Sequence, residues 1–356
     1  MTSAPPTAAV REHPSRVPAP AAEAGRVLSG PRALPWVMIA LAAAAGILAP
    51  GWTAVAAPWP FVVALVVFGM PHGAADWVVA ARVSGRAGTA SRLAGFVGYL
   101  GLMVASIAAI MWQPGASALL FLLLTVFHFG MADATAVHAD DDGLVARWGL
   151  ALGRGLLLLS TAFAAHPAEA WEPFARIGDA LSPWAASAWQ PGLAELQRLA
   201  LVGAATGGVL AACSAVARIR AGHARGAACD LLEHGLVAAM AATADPLFAV
   251  GCYFLAVHAF RHLRRLACTQ GVIGPATAGP PRAGLSSRLL RVHVLSLPLM
   301  WPTALCLAAL CWLIGGSGAR TLADASIAFY MVTTLSHHLL GLRLPRPDMA
   351  PAAAVG

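Results

Sequence analysis

The sequence predicts an all-α protein, a polytopic bundle of transmembrane helices with about 8–10 spans. The composition is 59% hydrophobic and only 11% charged, with a mean hydropathy of +0.71. A soluble domain carries roughly a quarter charged residues. Ten stretches of the chain also approach the length of about 20 apolar residues that a bilayer-spanning helix needs. Both observations place most of the chain in a lipid bilayer.

The ten stretches divide the chain into one membrane domain and two short tails. They run from 35 to 51, 59 to 81, 93 to 112, 116 to 135, 147 to 165, 199 to 217, 227 to 244, 246 to 263, 292 to 314 and 322 to 342. Residues 1–34 are rich in Ala and Pro, which predicts a disordered cytoplasmic tail. We expect a single transmembrane domain over 35–344, an external loop over 166–198 and a short C-terminal tail over 345–356.

The basic residues favour a membrane partner over a nucleic acid. All 23 are arginines, and the net charge is +7. These arginines are spaced between apolar runs, so they form no basic domain and predict no nucleic-acid binding. With the N-terminus inside the cell, most of them fall on inner loops, as the positive-inside rule requires. The sequence therefore predicts a multi-pass protein of the inner (plasma) membrane with both termini in the cytoplasm.

Several histidines lie at a similar depth inside the predicted spans. His72, His128 and His258 each lie about thirteen residues from the outer end of their span, or ~20 Å at 1.5 Å per residue. His262 is one helical turn deeper than His258 and on the same face. Converging imidazoles indicate a transition-metal site, and the shortage of carboxylates suits one ferrous ion. The alternative is that each histidine forms a hydrogen bond between helices.

Other polar groups inside the spans are candidates to support such a site. Asp76 lies one turn after His72 and can accept a hydrogen bond from its imidazole. Asp133 follows His128 by five residues, so it either supports the site or pairs near the inner surface. A further polar face indicates support for the metal, a proton route or a poorly embedded helix, and it consists of Asp230, Glu233 and His234.

Four sequence motifs resemble a known family. They are Pro71–Asp76 (PHGAAD), His128–Gly130 (HFG) with Asp133, Tyr253–His262 (YFLAVHAFRH) and Thr334–His337 (TLSH), in which Ser336 stands where the family has proline. In this order they resemble the motifs of the Brp/Blh (bacteriorhodopsin-related protein) family of membrane β-carotene 15,15′-dioxygenases. The resemblance extends over most of the chain after about residue 59.

The resemblance implies an iron-dependent oxygenase. Its reaction would be cleavage of the central double bond of β-carotene by dioxygen to give two molecules of retinal, which a rhodopsin partner could use. The family's Fe(2+) ligands correspond here to His72, His128, His258 and His262. We expect supporting roles for Asp76, Asp133, Glu233 and His337. Aromatic residues beside the ligands are candidates either for an apolar substrate tunnel or for ordinary bundle packing: Trp77, Phe127, Phe129, Tyr253, Phe254 and Phe260.

Three other classes of protein share some of these features. The segments HAFRH and SHH are similar to the histidine boxes of membrane di-iron desaturases and hydroxylases. Paired histidines on separate helices also bind haem in electron carriers. Histidine and aspartate inside a bundle can relay protons in a transporter or channel.

Overall fold

The computed structural model describes residues 33–71, 73–75, 89–137, 143–185, 191–268 and 285–341. All regular secondary structure in these ranges is helical, and a helix is present at each of the ten predicted stretches. The predicted fold class, an all-α polytopic bundle, is therefore confirmed. The predicted tails lie outside the described residues, apart from the first residues of the first helix.

Thirteen α-helices are described. Their bounds are α1 Ala33–Leu48, α2 Pro50–Ala56, α3 Pro58–Ala64, α4 Thr89–Trp112, α5 Pro114–Val137, α6 Gly143–Ala165, α7 Pro167–Leu181, α8 Leu193–Arg220, α9 Ala224–Thr243, α10 Pro246–Tyr253, α11 Phe260–Cys268, α12 Leu285–Ile314 and α13 Ala319–Gly341. Many begin with a proline at the first helical position, where its missing N–H costs nothing.

Six described helical segments are long and apolar enough to cross a membrane: Pro58–Ala75, Pro114–Thr135, Gly143–Ala165, Leu193–Arg220, Pro246–Ala267 and Ser286–Ile314. A seventh span is formed if α1 and α2 count as one. Helices α9 and α13 also lie at predicted spans, but α9 carries three charged residues, among them Glu233, and α13 carries Arg320 and Asp324. The chain is therefore a multi-pass membrane protein.

Two sequence expectations differ from the structure. The first predicted span is broken before Pro50, and α1 and α2 meet at an angle of 119°. Proline cannot donate the hydrogen bond that would continue α1, so the chain turns there. The predicted loop 166–198 contains helix α7, because an apolar face with Trp171 and Ile177 is buried against the bundle.

The helix that carries His258 lies at the centre of the bundle. In an apolar stretch of 18 residues within Pro246–Ala267, 83% of the residues are buried inside the protein, compared with 6% for the corresponding stretch within Ser286–Ile314 on the periphery. A helix that is enclosed on all sides presents every face to protein and none to lipid. Polar side chains on the central helix are therefore protected from the hydrocarbon, where they would be costly.

Two π-helical turns interrupt the helices that lead to the predicted ligands. One spans Leu65–Gly69, just before His72, and the other spans Phe254–Ala259 and contains His258. Such turns insert one extra residue into an α-helix and occur frequently at functional sites. They shift the angular phase of the residues that follow, so a regular 3.6-residue period does not predict the side-chain directions here.

Close packing between α5, α6 and α8 depends on small residues. A Cβ atom at Gly155 would overlap the carbonyl oxygen of Val126, and one at Gly130 would overlap that of Ala151. On the other side of α6, a Cβ at Gly153 would lie 3.1 Å from the backbone of Ala211. Glycine lets these backbones approach, which is a common way to hold transmembrane helices together.

We predict that Gly155→Ala loosens this packing. The added methyl group has only rigid backbone to push against, so overpacking should cost about 1–3 kcal/mol of unfolding free energy. Denaturant unfolding of the purified protein in detergent measures this loss. Gly208→Ala on α8 is the matched control, since nothing lies within 4 Å of its added Cβ. Equal stability of the two variants would contradict the packing argument.

Candidate metal centre

Imidazoles from three separate parts of the bundle meet at one place. The ring centroid of His128 on α5 lies 4.7 Å from that of His258 in the second π-helical turn and 5.1 Å from that of His337 on α13. The ring of His262 on α11 lies 5.4 Å from His337 and 6.3 Å from His258. All four side chains are buried, with 1–7% exposed. We call these four residues the histidine cluster.

A fifth imidazole, which the sequence reasoning missed, contacts this cluster. His338 Nδ1 lies 3.0 Å from His128 Nδ1, and the two rings are 5.3 Å apart. One of these nitrogens must donate the hydrogen and the other must accept it. The sequence does contain a signal, because His338 directly follows His337 in the last span.

Three of the predicted site residues lie outside the described residues, namely His72, Asp76 and Trp77. The described residues on either side of His72 are Pro71 and Gly73. Met70 and Gly73 line a cavity that His128, His258 and His337 also line.

The imidazole nitrogens of the histidine cluster are suitable ligands for a metal ion. The distances between the rings are close to those expected around one ion, but one of them is too long. Two imidazoles bound at about 2.1 Å to one ion in cis positions have centroids roughly 4.6–5.3 Å apart. The 4.7 and 5.1 Å separations fall in this range, whereas 6.3 Å between His258 and His262 is wider. Among the described residues, no three His, Cys, Asp or Glu side chains are positioned to hold an ion together as they stand. An ion would have to draw the rings inward.

A network of buried charges lies beside the histidine cluster. Glu233 on α9 accepts a hydrogen bond from Arg261 at 2.7 Å and lies 3.2 Å from Arg154 Nη1. It also accepts one from the indole N–H of Trp36 at 2.9 Å. Asp133 on α5 lies 3.9 Å from Arg261. We call Asp133, Arg154, Glu233 and Arg261 the charge network; their side chains are at most 1% exposed.

The two predicted supporting carboxylates that the structure describes, Asp133 and Glu233, therefore both have arginine partners. Asp133 also accepts a hydrogen bond from the hydroxyl of Tyr253. The two arginines balance the two carboxylates, so the network is neutral and each charge has a partner. The other residues of the predicted polar face also pair: Asp230 forms an ion pair with Arg218, and His234 Nδ1 lies 2.6 Å from the carbonyl oxygen of Asp230.

An apolar cavity adjoins His128, His258 and His337 of the histidine cluster and is lined by residues from most helices of the described bundle. Its volume is about 270 Å³, slightly below the usual range for small-molecule sites. One wall follows the central helix through Leu247, Val250, Phe254 and His258. Leu247 and His258 are separated by eleven residues, which corresponds to ~16 Å along a helix. The cavity is therefore long, narrow and bounded by imidazoles at one end.

The aromatic candidates divide into two groups. Phe129 and Phe254 line the cavity, and the Phe129 ring lies 4.4 Å from His258. Phe127, Tyr253 and Phe260 are outside the described lining, because each side chain points to another part of the bundle. Phe127 packs on Trp148 and His338, Tyr253 faces Asp133, and Phe260 packs on Phe68.

Fold and site together define a class of protein: a polytopic membrane protein in which buried histidines meet the end of an apolar cavity. Comparisons with known proteins are more specific. Residues 63–344 match the family described as β-carotene 15,15′-dioxygenase. No solved structure matches the chain significantly.

Two curated proteins are similar to the chain. A probable β-carotene 15,15′-dioxygenase Blh of Halobacterium salinarum is 31% identical over 322 residues, which cover 87% of this chain and 90% of the relative. A β-carotene 15,15′-dioxygenase from uncultured marine bacterium 66A03 is 42% identical over 76 residues, 20% of this chain and 27% of the relative.

The chain belongs to the β-carotene 15,15′-dioxygenase family. This confirms the family predicted from the four motifs and the predicted class of enzyme, a carotenoid dioxygenase. The matched region contains all four histidines that the resemblance implied as iron ligands. A dioxygenase of this kind suggests a metal cofactor.

We predict that Glu233→Gln strongly destabilises the protein. The substitution leaves Arg154 and Arg261 buried with only Asp133 as a counter-charge, and breaking a buried pair costs about 3–5 kcal/mol. Denaturant unfolding in detergent measures the change. Glu195→Gln is the matched control, because Glu195 is 68% exposed and pairs only with Arg198. A Glu233 variant as stable as the control would contradict the role of the charge network.

Proposed function

We propose that this protein uses Fe(2+) and dioxygen to cleave the central double bond of β-carotene into two molecules of retinal. The carbon–carbon double bond breaks, and each of its two carbons receives one oxygen atom of O₂ as an aldehyde. The substrate is a long apolar polyene that partitions into lipid. A cavity built inside a transmembrane bundle is a suitable place for such a molecule.

The observation that carries this proposal is the position of the histidines at one end of the cavity. Extended β-carotene is roughly as long as the hydrocarbon core of a bilayer, about 30 Å, so half of it spans ~15 Å. The cavity extends ~16 Å from Leu247 to His258. One half of the substrate therefore fills the described cavity when the central bond lies beside the imidazoles. This match of lengths favours cleavage at the centre.

The residues that would hold the metal are His72, His128, His258 and His262. When bound there, iron supplies the activation of dioxygen that no amino-acid side chain provides. His128 lies on α5, and His258 and His262 lie on the central helix, so a rigid bundle fixes these positions before any substrate arrives. Arg261 of the charge network lies between His258 and His262 in the chain, so the network restrains the helix that carries both.

The cavity walls orient the polyene and exclude water. Phe129 and Phe254 lie with their ring centroids 6.0 Å apart beside His258, and they present flat apolar surfaces to a flat chain of double bonds. A close-fitting apolar wall fixes which bond lies next to the metal. It also keeps bulk water away from the reacting carbons.

The proposed location of the protein is the inner membrane. The arginine distribution supports an inner-membrane protein with both termini in the cytoplasm. One transmembrane domain over 35–344 then carries the whole reaction, between the tails 1–34 and 345–356. The bilayer supplies the substrate, and dioxygen, which is apolar, also enters through lipid. A retinal-binding rhodopsin is the kind of partner that uses the product.

We predict that His258→Ala abolishes retinal formation. Expression of the wild-type chain in a bacterium that makes β-carotene should bleach the orange colour and release retinal, which chromatography measures. His258→Ala should leave the colour unchanged and lower bound iron in the purified protein. His166→Ala is the matched control, because His166 lies at the start of α7, where its ring contacts the carbonyl of Ala242. Retinal production by the His258 variant would refute the proposed site.

We also predict that Val250→Trp shifts or blocks cleavage. Val250 lines the cavity two turns before His258, so an indole there shortens the space for half of the substrate. Central cleavage should fall at least tenfold, and any remaining products should be aldehydes of unequal length. Leu305→Trp on the exposed face of α12 controls for the added bulk. Unchanged yield and product length in Val250→Trp would exclude this cavity as the substrate site.

A further inference from the structure

Helix α13 ends with two consecutive histidines that both reach the histidine cluster. His337 and His338 are each 7% exposed, although they lie next to each other on a helix. Adjacent helical residues point about 100° apart. Both can be buried here because they contact different sides of His128, with centroid distances of 5.1 and 5.3 Å. Two imidazoles at membrane depth are costly unless each has a function or a partner.

The four rings of the histidine cluster form a closed circuit. Going round it, the centroid separations are 4.7 Å from His128 to His258, 6.3 Å to His262, 5.4 Å to His337 and 5.1 Å back to His128. His337 therefore occupies the corner between His128 and His262. Three of these four separations are near the roughly 4.6–5.3 Å expected for neighbouring ligands of one ion. The separation of 6.3 Å between His258 and His262 must shorten before all four rings can share one ion.

His337 also lies on the substrate side of this circuit. Together with His128 and His258 it lines the apolar cavity, whereas the described lining does not include His262. An imidazole at this corner faces both the position of an ion and the space for substrate. Its chemistry matches that of the other three rings, since a neutral histidine nitrogen is a common ligand for iron.

We propose that His337 is a further ligand of the iron and that His338 is a positioning residue for His128. This inference rests on the proposed function, because it requires a metal at the histidine cluster. The contact between the two Nδ1 atoms, at 3.0 Å, couples the tautomer of His128 to that of His338. When His128 donates from Nδ1, its Nε2 keeps a lone pair for the ion. Helix α13 thus contributes one ligand and one group that orients a ligand.

We predict that His337→Ala weakens metal binding by at least tenfold. Co²⁺ is the probe, titrated into metal-free purified protein, with its visible absorption as the readout. His338→Ala should weaken binding less, and His338→Asn should restore it in part, because an amide can still hydrogen-bond to His128. His166→Ala is the control and should bind Co²⁺ like the wild type. Wild-type affinity in His337→Ala would overturn the inference.

A second variant tests direct ligation even if His337→Ala folds poorly. His337→Cys places a thiolate where the imidazole was, and a bound thiolate adds an intense sulfur-to-cobalt band in the near ultraviolet. We expect this band in His337→Cys and none in His338→Cys or in the wild type, whose own cysteines give the baseline. Absence of the band in a folded His337→Cys that still binds Co²⁺ would show that residue 337 is not a ligand.

The same titration separates this inference from the proposed function. If His258→Ala loses Co²⁺ while His337→Ala keeps it, the metal centre stands and His337 lies outside it. If both variants keep Co²⁺ at wild-type affinity, the histidine cluster is not the metal site, and both proposals fail. Loss of Co²⁺ in both variants, with the thiolate band in His337→Cys, supports both.

Discussion

The position of the histidines depends on a set of buried charges that neutralise one another. Glu233 forms ion pairs with Arg261 and Arg154 and accepts a hydrogen bond from the indole of Trp36. One carboxylate therefore connects α9 to α11, α6 and α1. Inside a membrane protein each of these charges is costly alone and tolerable only when paired. Separation of α9 from α6 or α11 would remove an arginine partner from Glu233, and separation from α1 would break the hydrogen bond with the indole. The geometry of this part of the bundle is therefore restricted to arrangements that keep the pairs together.

The buried ion pairs also restrain the candidate metal centre, because residues of both lie on the same stretch of helix. Arg261 lies between His258 and His262, and Tyr253, which holds Asp133, lies one residue before the π-helical turn that contains His258. With Tyr253 and Arg261 fixed on one side of the helix, the rotation of the intervening turn is determined. The same side chains that neutralise charge thus set the direction of the imidazoles. Supporting groups of this kind are as much a part of a metal site as the ligands.

Much of this architecture could be predicted from the sequence, and the exceptions have identifiable causes. Apolar runs located the helices, and depth counting selected His128, His258 and His262, which the structure brings to one place. The hydrogen bond from Tyr253 to Asp133 was not predictable. The extra residue of the π-helical turn changes the angle between Tyr253 and His258 around the helix, and this change leaves no trace in the hydropathy pattern. Helix α7 was missed because the helix is short and its sequence is rich in proline and charged residues. His338 was missed because a histidine near the end of a span is usually interfacial.

The distribution of polarity also explains how one bundle serves a substrate that belongs to the lipid. An apolar stretch of 18 residues in the central helix is 83% buried, whereas the corresponding stretch of the peripheral segment Ser286–Ile314 is only 6% buried. On this outer helix, Pro302 and Cys306 line the cavity and are also exposed, as are their neighbours Trp301 and Leu305, at 77% and 68%. Among the described residues, the cavity therefore extends to a helix at the surface on this side of the bundle. Because the cavity and the hydrocarbon are chemically alike, a polyene gains little by leaving one for the other. Its position inside the protein must then be set by shape and by the imidazoles at the end of the cavity.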